Sequence, residues 1–134
     1  MEKHRNIILV LGVVVDFPDG PVLVLERTWG SVKTALARGP LGSLSALRIA
    51  DQVNAAVHYL WKLQIRHGKV GIANVDLLGS PRYSAVTAKL TNFADATQYE
   101  GNQAIFNQDL CACAVFTSNL FVGHLSECMA LCLF

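Results

Sequence analysis

The stretch "SALRIADQVNAAVHYLWKLQIRH", Ser45 to His67, decides the fold that the sequence predicts. Apolar residues recur along it at intervals of three and four, which is the spacing of one face of an α-helix. These residues are Ala46, Ala50, Val53, Val57, Leu60 and Trp61. Gly68 follows the stretch and suits a helix end, because glycine readily adopts the left-handed conformation of a C-terminal cap. The stretch therefore predicts one long amphipathic helix, against which the other elements pack.

Two segments before this helix are rich in branched apolar residues and predict strands, Asn6 to Phe17 and Val22 to Thr28. Their apolar residues follow one another without strict alternation, which is typical of strands covered on both faces or at a dimer seam. Between them, Phe17-Pro18-Asp19-Gly20 has proline and glycine at the positions that a type I turn prefers. We therefore expect a buried β-hairpin.

The remaining segments complete an α+β pattern. Ser31 to Arg38 predicts two helical turns that stop at Gly39 and Pro40. Four further strands are predicted, at Val70 to Leu77, Tyr83 to Thr91, Gln103 to Phe106 and Leu110 to Thr117. Phe121 to Phe134 fits either a short apolar helix or a final strand. The predicted fold is one domain, residues 1–134, in which an antiparallel sheet packs on one long helix.

The amino-acid composition and the distribution of charge indicate which kinds of partner the protein binds and where in the cell it is located. Hydrophobic residues make up 52% of the 134 residues and charged residues 16%, so we expect an apolar surface patch and a homo-oligomer. The basic residues are scattered and the net charge is +1, which argues against nucleic-acid binding. The longest apolar run, Ile7 to Val15, is too short to cross a bilayer. Asp16 and Pro18 follow that run where a signal peptide needs small residues, so a cytoplasmic protein is expected.

Three carboxylates in the hairpin are candidates for acid–base chemistry, which needs paired groups in different environments. Asp19 belongs to the turn, where its side chain can bond nearby backbone groups. Asp16 and Glu26 have a functional interpretation only if the hairpin brings them together beside the long helix.

The polar side of the long helix carries the main catalytic candidates. Asp51, Asn54 and His58 are spaced by three and four residues and share one face. A histidine with a neighbouring carboxylate and amide suits an oriented general base in a cleft. The alternative is an ordinary solvated helix face.

The cysteines raise the question of a metal site. Cys111 and Cys113 would point to the same side of a strand, and His124, Cys128 and Cys132 would form a line on a helical tail. Such ligands suit tetrahedral zinc. However, their spacing matches no established zinc module, and buried inert thiols are the favoured interpretation. No phosphate-binding glycine loop occurs, so the sequence predicts neither a metal nor a cofactor.

Two segments resemble hot-dog proteins, the acyl-thioester dehydratases and thioesterases. They are "LLGSPRY", Leu77 to Tyr83, and "DLCACAVF", Asp109 to Phe116. The resemblance implies a long central helix wrapped by an antiparallel sheet and a tunnel that holds an acyl thioester. It places Arg82 and Tyr83 near the entrance for a phosphopantetheine group. The family's usual histidine or acid near the start of the central helix is not recognisable, and Asp16 stands where a dehydratase has histidine.

Two functions follow as hypotheses. The first is a small dimeric hot-dog-like protein that binds or acts on acyl thioesters, with Asp51, Asn54 and His58 as the catalytic groups. The second is a non-enzymatic α+β module that dimerises or docks a protein partner through its apolar strands. The missing signature and the low charge favour the second class, and the sequence leaves open whether the protein is an enzyme.

Overall fold

A computed structural model describes residues 3–81, 85–101 and 103–132, with side chains described to residue 121. Within these residues the chain forms three α-helices, seven short strands and one turn of 3₁₀-helix, Ile72–Asn74. The helices are α1 (Val32–Ala37), α2 (Ser43–Lys62) and α3 (Gln103–Cys132). The strands are β1 (Val10–Val14), β2 (Val22–Leu25), β3 (Gly30–Ser31), β4 (Ile65–Arg66), β5 (Val75–Leu78), β6 (Thr87–Leu90) and β7 (Thr97–Gln98). None of the described helices has the length and hydropathy needed to cross a membrane.

The long predicted helix is present as α2, and its predicted apolar face is the buried one. The buried side chains include Ala46, Ile49, Val53, Ala56, Val57 and Leu60. They pack against α3 on one side and β6 on the other. The helix ends at Lys62, five residues before the predicted end, because Gln64 adopts a left-handed φ of 57° and Ile65–Arg66 then pairs with Thr97–Gln98. The predicted helix at Ser31 to Arg38 is also present, and the Ser31 hydroxyl caps α1 by accepting the Thr34 N–H.

The strands predicted at Gln103 to Phe106 and Leu110 to Thr117 are wrong, because both segments belong to α3. Buried residues recur along α3 at intervals of three and four, which is a helical spacing. They are Phe106, Asp109, Cys113, Phe116 and Leu120. The ring of Phe106 stacks on Trp61 of α2 with centroids 4.8 Å apart, so this face closes the core against the long helix.

The sheet is antiparallel, as predicted, but it is divided into three small sheets among the described residues. The central one has the order β3-β5-β6, with Val75 paired to Leu90 and Leu77 paired to Ala88. All four of these side chains are fully buried. The result is a mixed α+β fold, as the sequence predicts. A single sheet wrapped around the helix is not present in the described part of the chain, and the hot-dog-like arrangement is not confirmed.

The predicted hairpin forms, with β1 and β2 antiparallel and the Gly20 N–H donating to the Phe17 carbonyl across the turn. Its predicted burial is wrong. Ten large apolar side chains between residues 10 and 25 are each more than a third exposed. The hairpin lies on the surface because, within the described residues, β2 pairs with no strand other than β1.

Candidate functional site

The predicted catalytic residues Asp51, Asn54 and His58 lie together on the outer face of α2, and all three are exposed. The His58 ring packs at a tilt against Trp61, with centroids 5.3 Å apart. None of the three lines any of four cavities that the described residues form. Their shared face is confirmed, and their acid–base role stays a prediction. The predicted substrate-binding residues Arg82 and Tyr83 lie outside the described residues.

The hairpin does not bring Asp16 and Glu26 together. Asp16 lies beyond the Val14 to Val22 pair, at the exposed turn end with Asp19, whereas Glu26 lies beyond the Val10 to Leu25 pair at the opposite end. The condition set for a shared functional role of Asp16 and Glu26 is therefore not met.

Glu26 instead anchors the hairpin to the core. Its Oε1 accepts the Leu9 N–H at 2.9 Å and lies 3.0 Å from the Lys89 ammonium on β6. Both side chains are largely buried. Burial raises the pKa of Glu26, but the bonds from Lys89 and Leu9 outweigh it, so the pKa lies below its ordinary value. This carboxylate is ionised at neutral pH and connects the segment before β1 and the end of β2 to Lys89 on β6.

Cys111 and Cys113 do not face the same side, because they lie two residues apart on a helix rather than on a strand. Cys111 is exposed, whereas Cys113 is buried in the core. Burial and the nearby Asp109 carboxylate raise the pKa of the Cys113 thiol to about 12. His124, Cys128 and Cys132 fall in α3 beyond the described side chains. The residues whose side chains are described include no group of three potential metal ligands of the His, Cys, Asp or Glu type.

A polar loop that the sequence analysis missed runs from His67 to Asn74 and is fixed by α3. The Asp109 carboxylate is 3% exposed and accepts two backbone N–H groups, from His67 at 2.8 Å and from Gly68 at 3.1 Å. The two charge-assisted hydrogen bonds that this buried carboxylate accepts fix the backbone at the start of the loop. At its end, the Asn74 side-chain amide donates to the Lys69 carbonyl at 2.8 Å.

His67 is fully buried at the start of this loop. Its Nε2 lies 2.8 Å from the Thr91 carbonyl, and its Nδ1 accepts the Lys69 N–H at 3.1 Å. An imidazole that donates through Nε2 and accepts through Nδ1 is neutral. Burial lowers the pKa of His67, although the Thr91 bond and Asp109 act in the opposite direction. His67 therefore connects the loop to the segment after β6.

The segment after β6, residues 91–95, lies against this loop. Asn92 has a left-handed φ of 61°, and its side chain donates to Asn74 Oδ1 at 3.0 Å. The Asp95 carboxylate lies 2.6 Å from the Lys69 ammonium, and both side chains are about half exposed. We call Lys69, Asn74, Asn92 and Asp95 the loop cluster. It unites two polar segments that are well separated in sequence.

An apolar cavity of about 680 Å³ lies between the hairpin and the same segment. Its walls include Val10, Leu23 and Leu25 from the hairpin, Leu60 from α2, and Phe93. The hairpin therefore contributes part of its apolar surface to this cavity, and the loop cluster residue Asn92 also lines it.

Comparisons with known proteins identify the fold. No protein-family model matches the chain, and no curated protein matches it. Among solved structures, the chain is similar to one described as "Crystal structure of Rad53 kinase domain and SCD2", with a TM-score of 0.72 and 20% sequence identity. The match covers 92% of this chain and 48% of that chain, so this chain spans about half of the length of that structure. At this identity the likeness shows the fold alone.

Proposed function

We propose that this chain is a non-enzymatic assembly module, built on part of a kinase-type fold, that dimerises through its apolar hairpin. The observation that carries the proposal is the exposure of ten large apolar side chains between residues 10 and 25, with Leu11 at 63% and Leu23 at 61%. Contiguous apolar surface of this kind marks an interface in a folded protein. A sheet of two strands is also marginal alone and gains stability when another strand joins it.

The outer edge of β2 is the surface for pairing. The Glu26 N–H donates inward, to the Leu9 carbonyl of the neighbouring strand segment. Because backbone groups alternate in direction along an antiparallel strand, Leu25 and Leu23 present their N–H and C=O groups outward. An exposed strand edge with apolar side chains is a template for pairing with another chain.

The proposed occupant of this edge is a second copy of the chain, and the charges at the two ends of the hairpin support this choice. Asp19 and Arg27 are both exposed, and neither forms an ion pair within the described residues. In an antiparallel pair of β2 strands (Val22–Leu25) with its two-fold axis at Leu23, the same register continued past both strand ends aligns Arg27 of each copy with Asp19 in the turn of the other. A two-fold interface uses the same patch twice, so the dimer has one such pair at each end, with one residue from each copy.

Sedimentation velocity over a wide range of concentration tests this proposal. The unmodified chain is expected to shift from monomer to dimer, and Leu23→Glu is expected to weaken the association by at least roughly tenfold in Kd. Leu47→Glu is the matched control, since Leu47 is 58% exposed but lies on α2. A chain that stays monomeric at every concentration, or that loses association equally in both variants, contradicts the proposal.

A charge-reversal pair separates self-association from docking of a different protein. Arg27→Asp and Asp19→Arg are each expected to weaken the dimer, and the double variant is expected to restore it, because the two residues exchange roles across the two-fold axis. Additive weakening in the double variant contradicts the paired arrangement and favours another occupant of the hairpin edge.

The loop cluster supports the non-enzymatic part of the proposal. Protein kinases carry H-R-D-L-x-x-x-N, with the aspartate as catalytic base, and D-F-G, with an aspartate that holds magnesium. The stretch of this chain with the same spacing is His67-Gly68-Lys69-Val70 followed by Asn74, and Asn92-Phe93-Ala94 takes the place of D-F-G. An ammonium group and an amide therefore stand where a base and a metal-binding carboxylate are needed.

The donors present do not fit a magnesium ion. Asn74 Oδ1 already accepts from Asn92, whose amide nitrogen faces it, and the Asp95 carboxylate is paired with Lys69. Magnesium binds through ionised carboxylates and water in near-octahedral geometry. We therefore expect no transfer of phosphate from ATP to a generic protein substrate in the presence of magnesium, and measurable transfer that is lost in Lys69→Ala would contradict the proposal.

Acyl-thioester binding remains the second candidate function, and the apolar cavity of about 680 Å³ is the observation that favours it. A cavity of this size, lined mainly by aliphatic residues, suits an acyl chain. A panel of acyl-CoA compounds of different chain lengths tests it by binding and by hydrolysis. Turnover lost in His58→Ala or Asp51→Ala supports the predicted catalytic residues, whereas the absence of binding at every chain length removes this candidate.

A further inference from the structure

We propose that the ammonium group of Lys69 acts as a built-in cation that replaces a divalent metal ion in the loop cluster. The ion pair with Asp95, at 2.6 Å, is the direct observation. It connects the loop from His67 to Asn74 with the segment after β6, two segments that magnesium ions connect in kinases through Asn and Asp side chains. The inference rests on the fold and the cluster geometry, and it does not depend on dimerisation.

The backbone holds Lys69 in place independently of the ion pair. Its N–H donates to the buried His67 ring, and its carbonyl accepts from the Asn74 side chain. The backbone N–H and C=O groups of Lys69 are therefore both held by hydrogen bonds. These bonds fix the position of its Cα atom, from which the side chain extends to Asp95.

A close backbone approach brings Asp95 to the loop. Gly68 has a φ of 85°, in the left-handed region that glycine tolerates best. A Cβ atom at Gly68 would lie 3.2 Å from the Asp95 carbonyl oxygen. Glycine at this position therefore permits the close approach of the Asp95 backbone, which the Cβ atom of any other residue would crowd.

The charges then disfavour an external cation. Asp95 is the only carboxylate of the loop cluster, and Lys69 neutralises it. A divalent ion approaching Asp95 must displace the ammonium group and remain next to its positive charge. Because both side chains are about half exposed, the ion pair adds little to the free energy of unfolding. Its effect is that the Lys69 ammonium group occupies the position beside Asp95 that a metal ion would take.

The test replaces the ammonium group with a carboxylate and measures binding of manganese, which is detected directly by electron paramagnetic resonance. The unmodified chain is expected to bind Mn²⁺ only weakly, and sodium chloride should abolish this binding by screening the charges. Lys69→Asp provides a second carboxylate beside Asp95, so we expect at least a roughly tenfold gain in Mn²⁺ affinity and a rise in Tm on adding Mn²⁺.

Two control variants sharpen the result. Lys33→Asp makes the same change of charge on α1, where Lys33 is exposed, and should not create a manganese site. Lys69→Met removes the positive charge without adding a ligand, and should bind more weakly than Lys69→Asp. Circular dichroism confirms that each variant is folded. Tight Mn²⁺ binding by the unmodified chain, or equal binding by Lys69→Asp and Lys33→Asp in folded protein, would overturn the proposal.

Discussion

The carboxylate of Asp109 on α3 accepts the backbone N–H of His67, 42 residues earlier in the chain, at 2.8 Å in the buried core. The same carboxylate accepts the Gly68 N–H through its other oxygen. One side chain thus satisfies two backbone donors, one buried and one partly buried, and fixes the start of the loop that carries Lys69. The loop and α3 therefore depend on each other for their positions.

Replacing Asp109 with alanine leaves the buried His67 N–H and the partly buried Gly68 N–H without this partner. We expect the free energy of unfolding to fall by about 2 to 4 kcal/mol, the cost of one buried and one partly buried unsatisfied donor. Urea denaturation at neutral pH measures this change. Asp51→Ala removes an exposed carboxylate on α2 and should change the value by no more than about 0.5 kcal/mol. Equal effects of the two variants would contradict the structural role of Asp109.

Acid should destabilise the protein through His67. Burial lowers its pKa in the folded state, so the unfolded chain takes up the proton first as pH falls below the ordinary value of 6.5. Stability is therefore fully present above that value and is lost as pH falls toward the lower folded pKa, by at most about 1.4 kcal/mol per pH unit.

The measurement is urea denaturation at several pH values between 7.5 and 5, for the unmodified chain and for His67→Gln. The variant should be less stable at pH 7.5 but should lose less stability on acidification. His4, whose pKa is also lowered by burial and by Lys89, contributes a change of the same sign, so some pH dependence remains. An unchanged pH dependence in His67→Gln would show that another group is responsible.

The Glu26 and Lys89 pair should couple more strongly than the exposed pair of Lys69 and Asp95. A double-mutant cycle with Glu26→Gln and Lys89→Met is expected to give a coupling energy of about 1 to 3 kcal/mol. The same cycle on Lys69 and Asp95 should give about 0.2 to 1 kcal/mol, since those side chains are half exposed. Because the pKa of Glu26 is lowered, its coupling should persist below its ordinary value of 4.5 and disappear at lower pH. A weaker coupling for the buried pair contradicts this ranking.

The two described cysteines should differ in reactivity. Cys111 is exposed, whereas Cys113 is 4% exposed and its pKa is raised to about 12. Iodoacetamide at pH 8 should therefore modify Cys111 first, and Cys113 only after unfolding. Peptide mass spectrometry distinguishes the two sites, and urea-treated protein provides the control. Equal rates in the folded protein would contradict the helical arrangement, since a strand would place both thiols on one side.

The sequence predicted α2 well because its polar and apolar residues separate cleanly onto two faces. It failed for α3, where small and apolar residues occupy nearly every position between Leu110 and Phe116 and hide the helical period. The hairpin was predicted correctly as a hairpin and wrongly as buried, since runs of valine and leucine reveal strand preference but not what covers the strand.

The loop cluster could not be predicted from the sequence, for a physical reason. His67 and Asp109 act on backbone groups, and such contacts leave no fixed spacing between side chains. The available signal was His67 followed by Asn74, with Asn92-Phe93-Ala94 after β6, a pattern that can be interpreted only together with the fold. By contrast, the helical spacing of Asp51, Asn54 and His58 predicted their shared face correctly and identified no cavity beside them.

The proposed pairing of two copies along β2 is tested most directly by a cysteine at position 23. Leu23→Cys, in a chain whose four native cysteines are replaced by alanine or serine, should form an intermolecular disulfide on mild oxidation, because residues across an antiparallel pair approach within disulfide range. Leu47→Cys in the same background has similar exposure on α2 and should remain reduced and monomeric. A dimer linked through position 23 alone is the predicted result, and equal cross-linking at both positions, or none at position 23, would contradict the account.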